Sequence, residues 1–263
     1  MNLLFWNLNN KDNAKLIFEI FQEYDVDIAL FAEYKMTNIN RVIENSDYQY
    51  IQFDGYGGCD KITLICKSTI EIKVKQEQDR YTLYTCRIND DIYNIVGIHL
   101  QAKPYADSNY RKNEIRNIVY DIDSLEKDTK NTNTIVIGDF NCNPFDEEII
   151  QKDAFNAVLF KQLINDQELV EYNNTKYKRF YNPAIHFISE DTKTYGSYYY
   201  SSGSCPLYWN SYDQLLVRKC LVDCIKDMVF IKQIKNTNLI SQRRINDSIG
   251  DHLPLFTTII GGK

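Results

Sequence analysis

Apolar runs in this chain repeatedly stop, or start, on a carboxylate, a carboxamide or an imidazole. LLFWNLN reaches Asn7, DIALFAE ends at Glu33, IVGIHL carries His99, and TIVIGDFN runs into Asp139 and Asn141. SYDQLLV opens with Asp213, and GDHLPLF opens with Asp251 and His252. Runs this short and apolar read as buried strands, and a single polar residue at a strand end only marks the start of a loop. Eight of them, all of so few types, require a fold in which they meet, because a buried polar group costs free energy unless it is partnered. Their chemistry also converges. Hard carboxylate oxygens suit Mg²⁺ or Mn²⁺, while Asn and His donors suit a phosphoryl oxygen.

The spacing of the runs limits how they can be arranged. Strand patterns at 61–67, 70–76 and 81–88 follow one another too closely for crossover helices, which disfavours a single, purely parallel, doubly wound sheet. Further strands are expected at 2–7, 27–34, 48–53, 92–100 and 134–141, with GDHLPLFTTII as the last. Ile17, Phe18, Ile20 and Phe21 recur at helical spacing within KDNAKLIFEIFQEY. Residues 108–126 form a second amphipathic pattern, capped by Asp107 or Ser108 and facing inward through Ile115, Ile118, Val119 and Ile122. DEEIIQKDAF reads as the start of a third helix, and 235–250 as a polar loop. Strand-rich segments with a few helices between them imply an α/β fold. The expected form is a four-layered α/β sandwich, two packed mixed β-sheets flanked by helices.

Composition sets the outer limits. A chain of 263 residues, 44% apolar and 25% charged, buries a sizeable core without staples. No repeat, low-complexity linker or Pro/Gly-rich hinge divides it, so residues 1–263 are expected to be one domain. A formal net charge of −6 argues against a broad nucleic-acid-coating surface, so a polyanionic substrate has to be met locally. No apolar run approaches the ~20 residues of a membrane span, and the N-terminus has no leader-like pattern. The seven Cys contain no CxxC pair, which fits reduced thiols in a cytoplasmic protein.

In the order FWNLN (5–9), DVDIALFAE (25–33), GIHL (97–100), GDFNCNP (138–144), SYDQLLV (211–217) and GDHLP (250–254), the chain resembles the endonuclease/exonuclease/phosphatase superfamily, with its DNase-I-like fold. GDFNxxP followed by a terminal DHxP is the specific part of the match. The resemblance implies that Glu33 is the principal ligand of a Mg²⁺ or Mn²⁺ ion, with Asn7 contacting the metal or the phosphate. It implies that Asp139 and Asn141 position or activate the attacking water and hold a non-bridging oxygen. His99 and His252 would donate to the phosphoryl group, or one of them would act as base; Asp213 would orient His252, and Asp251 would complete the metal set. Gly250 stands where the family often has Ser, a departure that removes one hydroxyl and no central group.

Other positions carry open alternatives. Among Tyr105, Tyr110 and Arg111, the favoured phosphate contact is Arg111, with an exposed helix charge as the competing reading. Asn182 and Trp209 are expected near the site, Asn182 as a substrate contact. The aromatics of FYNP, GSYYY and YWNSYDQ either flank a ligand or pack as sheet and core residues. Arg243 and Arg244 either meet a phosphate backbone or lie in a solvated loop, and His186 is expected outside the site.

The sequence thus points to a divalent-metal-dependent phosphoesterase, with a nuclease acting on DNA or RNA as the leading activity. The alternative is a phosphatase or phosphodiesterase for a small molecule or lipid headgroup. A catalytically dead binding module is disfavoured, since every central position is present. Nucleic acid is the expected partner as substrate, with no membrane and no obligate protein partner.

Overall fold

The computed structural model describes residues 1–34, 50–53, 62–102, 108–188, 195–201 and 208–261. Within them the chain opens with strand β1 (Asn2–Asn7), helix α1 (Ala14–Tyr24) and strand β2 (Ile28–Ala32). Strands β3 (Tyr50–Phe53), β4 (Ile62–Lys67), β5 (Glu71–Gln78), β6 (Tyr81–Ile88) and β7 (Asp91–His99) follow. Helix α2 (Ser108–Thr129) then crosses to β8 (Thr134–Asp139). Later come β9 (Ala157–Val158), β10 (Phe180–Tyr181), β11 (Asp213–Val217), β12 (Ile225–Phe230) and β13 (Leu255–Ile259).

These strands form two mixed sheets, ordered β12-β13-β1-β2-β4-β3 and β5-β6-β7-β8-β11-β10-β9. Each contains a parallel pair joined by a helix, β1–β2 through α1 and β7–β8 through α2, and the second sheet adds a short parallel pair, β9–β10. The crossover is long because parallel strands must be re-entered from the same end. The close-spaced β5, β6 and β7 pair antiparallel, as their spacing requires.

Side-chain alternation builds the layers. Ile95, Ile135, Ile137, Leu215 and Val217 of the second sheet share one apolar cluster with Leu30 and Ile62 of the first. Their neighbours Val96, Ile98, Val136 and Leu216 face the other way, against Ile115, Ile118 and Ile122 of α2. On the first sheet, Phe31 turns outward to Phe21 of α1, with ring centroids 6.5 Å apart. The order is therefore helix, sheet, sheet, helix. Gly97 marks the tightest approach between the sheets: a Cβ there would sit 2.5 Å from Leu30 Cδ2 and 2.9 Å from Ile62 Cγ2.

Some elements differ from the sequence reading. The helix expected at DEEIIQKDAF is a single turn, Glu147–Ile150, because Gln151 returns to extended backbone and carries Ala154 and Phe155 into the second core. The polar stretch after 232 holds two small ladders, Gln233–Ile234 with Thr237–Asn238 and Ile240–Ser241 with Arg244–Ile245. Cys220 and Cys224 lie in a 3₁₀ turn, Lys219–Cys224. Among the described residues no helix is long and apolar enough to cross a membrane.

A buried ion cluster fixes α2 to the strands that carry the polar ends. Glu126 accepts from Arg218 Nε at 2.8 Å, Lys178 Nζ at 2.7 Å and the Thr134 hydroxyl at 2.8 Å. Arg218 reaches Asp123 at 2.9 Å and lies 3.8 Å over the Phe180 ring. Burial would push the Glu126 carboxyl up, but Arg218, Lys178 and Thr134 together hold it below its ordinary value. Such a group stabilises the fold above its unfolded pKa, and the contribution is lost as pH falls through the lower folded value. Glu126→Gln leaves the buried Arg218 under-compensated and is expected to cost about 3 kcal/mol at pH 7. In urea unfolding at a series of pH values, the gap between wild type and variant should narrow below about pH 4.5.

Candidate active site

The parallel pairs β1–β2 and β7–β8 end at the same edge of the sandwich, and the antiparallel partners enter there. In the second sheet the register sets His99 opposite Asp139 and Asp139 opposite Asp213, so three functional groups lie side by side on β7, β8 and β11. In the first, Asn7 pairs with Ala32, which puts Asn7 beside Glu33. Gly138 permits the close β7–β8 approach, since a Cβ there would lie 2.0 Å from the carbonyl oxygen of Ile98.

Asp139 is the centre of the resulting constellation. Its Oδ1 accepts the backbone N–H of Asn141 at 2.8 Å, closing a tight turn in which Asn141 has φ 49°. Its Oδ2 receives Asn7 Nδ2 at 3.1 Å and lies 3.7 Å from His252 Nε2 and 3.9 Å from His99 Nε2. Asn7 also donates to Glu33 Oε1 at 3.3 Å, while its Oδ1 is occupied by the N–H of Asn9 at 3.0 Å. Asn7 thus bridges two carboxylates through its Nδ2, while its Oδ1 takes one backbone N–H and keeps a second lone pair. Glu33, at φ 49°, holds a left-handed backbone that costs a side-chain-bearing residue of order 1 kcal/mol. This strain turns the carboxylate away from the strand it follows.

The two histidines have opposite electrostatics. His252 Nδ1 lies 2.7 Å from Asp213 Oδ2, and Asp213 in turn takes its backbone N–H to Ser197 Oγ at 3.0 Å. Burial opposes a charge on His252, yet Asp213, Asp139 and Asp251 outweigh it and push its pKa up to about 10. His99 goes down, because burial outweighs Asp139 and Glu33. Its Nε2 faces Glu33 Oε1 at 3.4 Å, so it acts on the carboxylate. Asp213 is raised by burial, against the pull of His252. At neutral pH this leaves a cationic His252 and a neutral His99 over a carboxylate cluster.

These groups line an open cleft of about 520 Å³, which Asn141, Asp251, Arg80, Gln101, Tyr198, Tyr200 and Tyr212 complete. Tyr198 packs on His252 with ring centroids 4.7 Å apart, and Tyr212 stacks on Tyr198 at 5.2 Å. The aromatic stretches of the sequence therefore do both jobs: Tyr198, Tyr200 and Tyr212 wall the cleft, whereas Trp209 packs against Tyr199 at 5.3 Å. Arg80 and Gln101 escaped the sequence reading, for Arg80 sits in a tight β5–β6 turn that carries no motif.

The donor set fits a hard divalent cation. Glu33, Asp139 and Asp251 supply carboxylate oxygens to one cleft, and Asp251 Oδ1 is buried with no hydrogen-bond partner, a costly arrangement unless something binds it. Asp139, Asp213 and His252 also bring one ligand atom each within 4.8 Å of one another. Asp213 is nevertheless fully buried and committed to His252, so those three read better as an oriented imidazole than as a metal centre.

Two expected substrate contacts lie behind the site. Arg111 is neither exposed nor in the cleft: it is 1% exposed, and its guanidinium donates to the carbonyls of Phe140 at 3.1 Å and Asn141 at 3.2 Å, with Glu148 3.6 Å away. Asn182 is also fully buried; it donates to Gln214 Oε1 at 2.7 Å, and Gln214 donates to the Cys142 carbonyl at 2.6 Å. Burial excludes both from substrate contact and makes them supports of the turn that carries Asn141. Arg244 pairs with Asp247 at 4.0 Å, and neither it nor Arg243 lines the cleft. His186 packs on Phe187, away from the site, and Tyr105 lies outside the described residues. Arg111→Ala should destabilise the fold by about 3 kcal/mol by stranding Glu148 and two carbonyls. Arg111→Lys, which restores the charge without the fork, should recover part of that loss in chemical denaturation.

Known proteins share this fold. The family model described as "Endonuclease/Exonuclease/phosphatase family" matches residues 4–227. No curated protein sequence matches the chain. Among solved structures, the endonuclease domain of TRAS1, a telomere-specific non-LTR retrotransposon, superposes with a TM-score of 0.58 at 12% identity, covering 100% of this chain and 99% of that one. D. rerio TDP2 complexed with single strand DNA product gives 0.56 at 13%, over 99% of both chains. A family protein from Bacteroides thetaiotaomicron gives 0.60 at 11%, over 98% and 93%. At such identities these likenesses speak for the fold, which is DNase-I-like. The family match spans most of the chain, and with the Asp139-centred cleft it places this protein in the endonuclease/exonuclease/phosphatase family.

Proposed function

We propose that the protein is a Mg²⁺- or Mn²⁺-dependent phosphodiesterase acting as a nuclease on DNA or RNA. The observation that carries the reading is the placement of His252, held by Asp213 at 2.7 Å and facing Asp139 across 3.7 Å in a cleft lined with metal-type oxygens. The family supports phosphoester hydrolysis, and the TDP2 and TRAS1 likenesses favour a polynucleotide substrate. A cytoplasmic setting belongs to the same proposal, in keeping with the free thiols of Cys66, Cys86 and Cys142.

Glu33, Asp139 and Asp251 would hold the ion, with Asn7 fixing the first two. A divalent ion there would supply a Lewis acid that offsets the phosphoryl charge. The chain's own groups divide the remaining work. Asp139 orients the attacking water and receives its proton as the water oxygen bonds to phosphorus, the P–O ester bond breaks and the leaving oxygen takes a proton from solvent. One N–H of the Asn141 carboxamide is committed to the Leu100 carbonyl at 2.8 Å, and the second is available for a non-bridging oxygen. His252 donates its Nε2–H to the phosphoryl group as negative charge develops, and Asp213 keeps that proton in place. His99 aligns Glu33. Because these donors are fixed before substrate arrives, little reorganisation is needed at the transition state.

A second reading, hydrolysis of a small phosphoester, has one observation in its favour. Arg80 is the one Arg or Lys among the described residues that line the cleft, which is sparse for a long polyanion.

Assays against plasmid, single-stranded DNA, RNA and phosphorylated metabolites with Mg²⁺, Mn²⁺ or EDTA separate the two. Polynucleotide cleavage that EDTA abolishes is expected; turnover of small phosphoesters alone would remove the nuclease reading. Asp139→Ala and His252→Ala should each lower kcat by about 10²–10³, and wild-type rates in both would refute the enzyme assignment. Loss of the His252 proton should end activity as pH rises through about 10. Asp213→Asn removes the main force raising that pKa, so its alkaline limb should move to lower pH.

A further inference from the structure

A second groove of about 460 Å³ adjoins the catalytic cleft, and Arg80 lines both. One wall is helix α2, where Tyr110, Asn113, Asn117 and Tyr120 follow one another at three- and four-residue spacing and so share a face. The other wall is β5, with Gln76 and Gln78. The floor is fixed: Asp121 Oδ2 accepts the Tyr81 hydroxyl at 2.6 Å and the Gln76 amide. Above it two rings stand well into solvent, Tyr110 at 57% and Tyr120 at 72% exposure.

The chemistry of this wall is selective. Among the described residues that line it, Arg80 is the one Lys or Arg, so the groove has little to hold a run of phosphates. Gln76 is committed to Asp121 and Asn113 Oδ1 accepts from Arg116 at 3.1 Å, but the Gln78 and Asn117 carboxamides each carry a donor and an acceptor side by side, the pattern that matches the uncharged edges of nucleobases. Exposed tyrosine faces offer stacking platforms. Bases present faces and edges together only when they are unpaired, since a duplex hides its faces in the stack. We propose that this groove receives the unpaired bases flanking the scissile phosphate, with Arg80 holding the phosphate at the junction, so that the preferred substrate is single-stranded. The proposal rests on the nuclease reading and narrows it.

The test uses Tyr110→Ala/Tyr120→Ala and Asn117→Ala in the full chain, none of them in the catalytic constellation. Kinetics are measured on single-stranded oligonucleotides from a dinucleotide to a decamer, on a blunt duplex and on bis(p-nitrophenyl) phosphate. Anisotropy of a fluorescein-labelled decamer gives binding without turnover. The double variant should raise KM and Kd for the decamer about tenfold or more. Its kcat and its activity on bis(p-nitrophenyl) phosphate should not change, and wild type should prefer single strands to duplex. An unchanged KM and Kd, or a loss as large on bis(p-nitrophenyl) phosphate, would overturn the groove while leaving the nuclease reading intact. Tyrosine-dependent decamer binding without cleavage of any polynucleotide would support the groove and sink the nuclease reading. Absence of both sinks both.

Discussion

The register of β7, β8 and β11 is the constraint on which the site depends. A shift of one residue would turn His99, Asp139 and Asp213 to the opposite face and break the row they form. The register is secured from both sides. Gly138 lets β8 lie against the Ile98 carbonyl, and Gly97 lets the first sheet close over β7. With that edge set, the β1–β2 pair brings Asn7 and Glu33 to it from the opposite sheet. The two layers meet at Asp139 through the Asn7 carboxamide.

Concentrating four carboxylates beside two imidazoles is electrostatically expensive, and the structure distributes the cost. Asp213 is charge-compensated by His252, Glu33 and Asp139 share the Asn7 amide with the histidines 3.4 to 3.9 Å away, and Asp251 Oδ1 is buried without a hydrogen-bond partner among the described residues. A divalent cation would answer both the surplus charge and that oxygen. The opposed shifts of His252 and His99 arise because one imidazole has an acid at hydrogen-bond distance and the other has acids farther off. Similar residues in one cleft thereby acquire different duties. Behind them, Arg111 and the Asn182–Gln214 pair convert the backbone of the Asn141 turn into a fixed surface.

Much of this was legible in the sequence. Apolar runs with polar tips located the strands and the residues that converge, and short spacing made β5, β6 and β7 antiparallel, whereas the equally close β4 and β5 lie in different sheets. The helices at 14–24 and 108–129 followed from apolar period; Asp107, one of the two caps expected for the second, lies outside the described residues. What misled was local reasoning about side chains whose role is set by partners distant in the chain. Arg111 looked like a surface or phosphate-binding charge on its helix; it is buried because the carbonyls of Phe140 and Asn141 lie where its guanidinium can reach them. Asn182, beside a proline, carried no sign that Gln214 would occupy it. Arg80 gave no signal, because a turn residue enters a cleft only through the placement of its hairpin.

The sequence by itself determined the strand and helix pattern and the cast of Asp139, Asn141, His252, Asp213, Glu33 and Asp251, because alternation, strand-end polarity and motif order are properties of consecutive residues. The tertiary structure decided which imidazole is charged, which amide bridges carboxylates and which cation stands in the cleft. Those properties depend on burial and on atoms a few ångströms apart that the chain separates by tens to hundreds of residues.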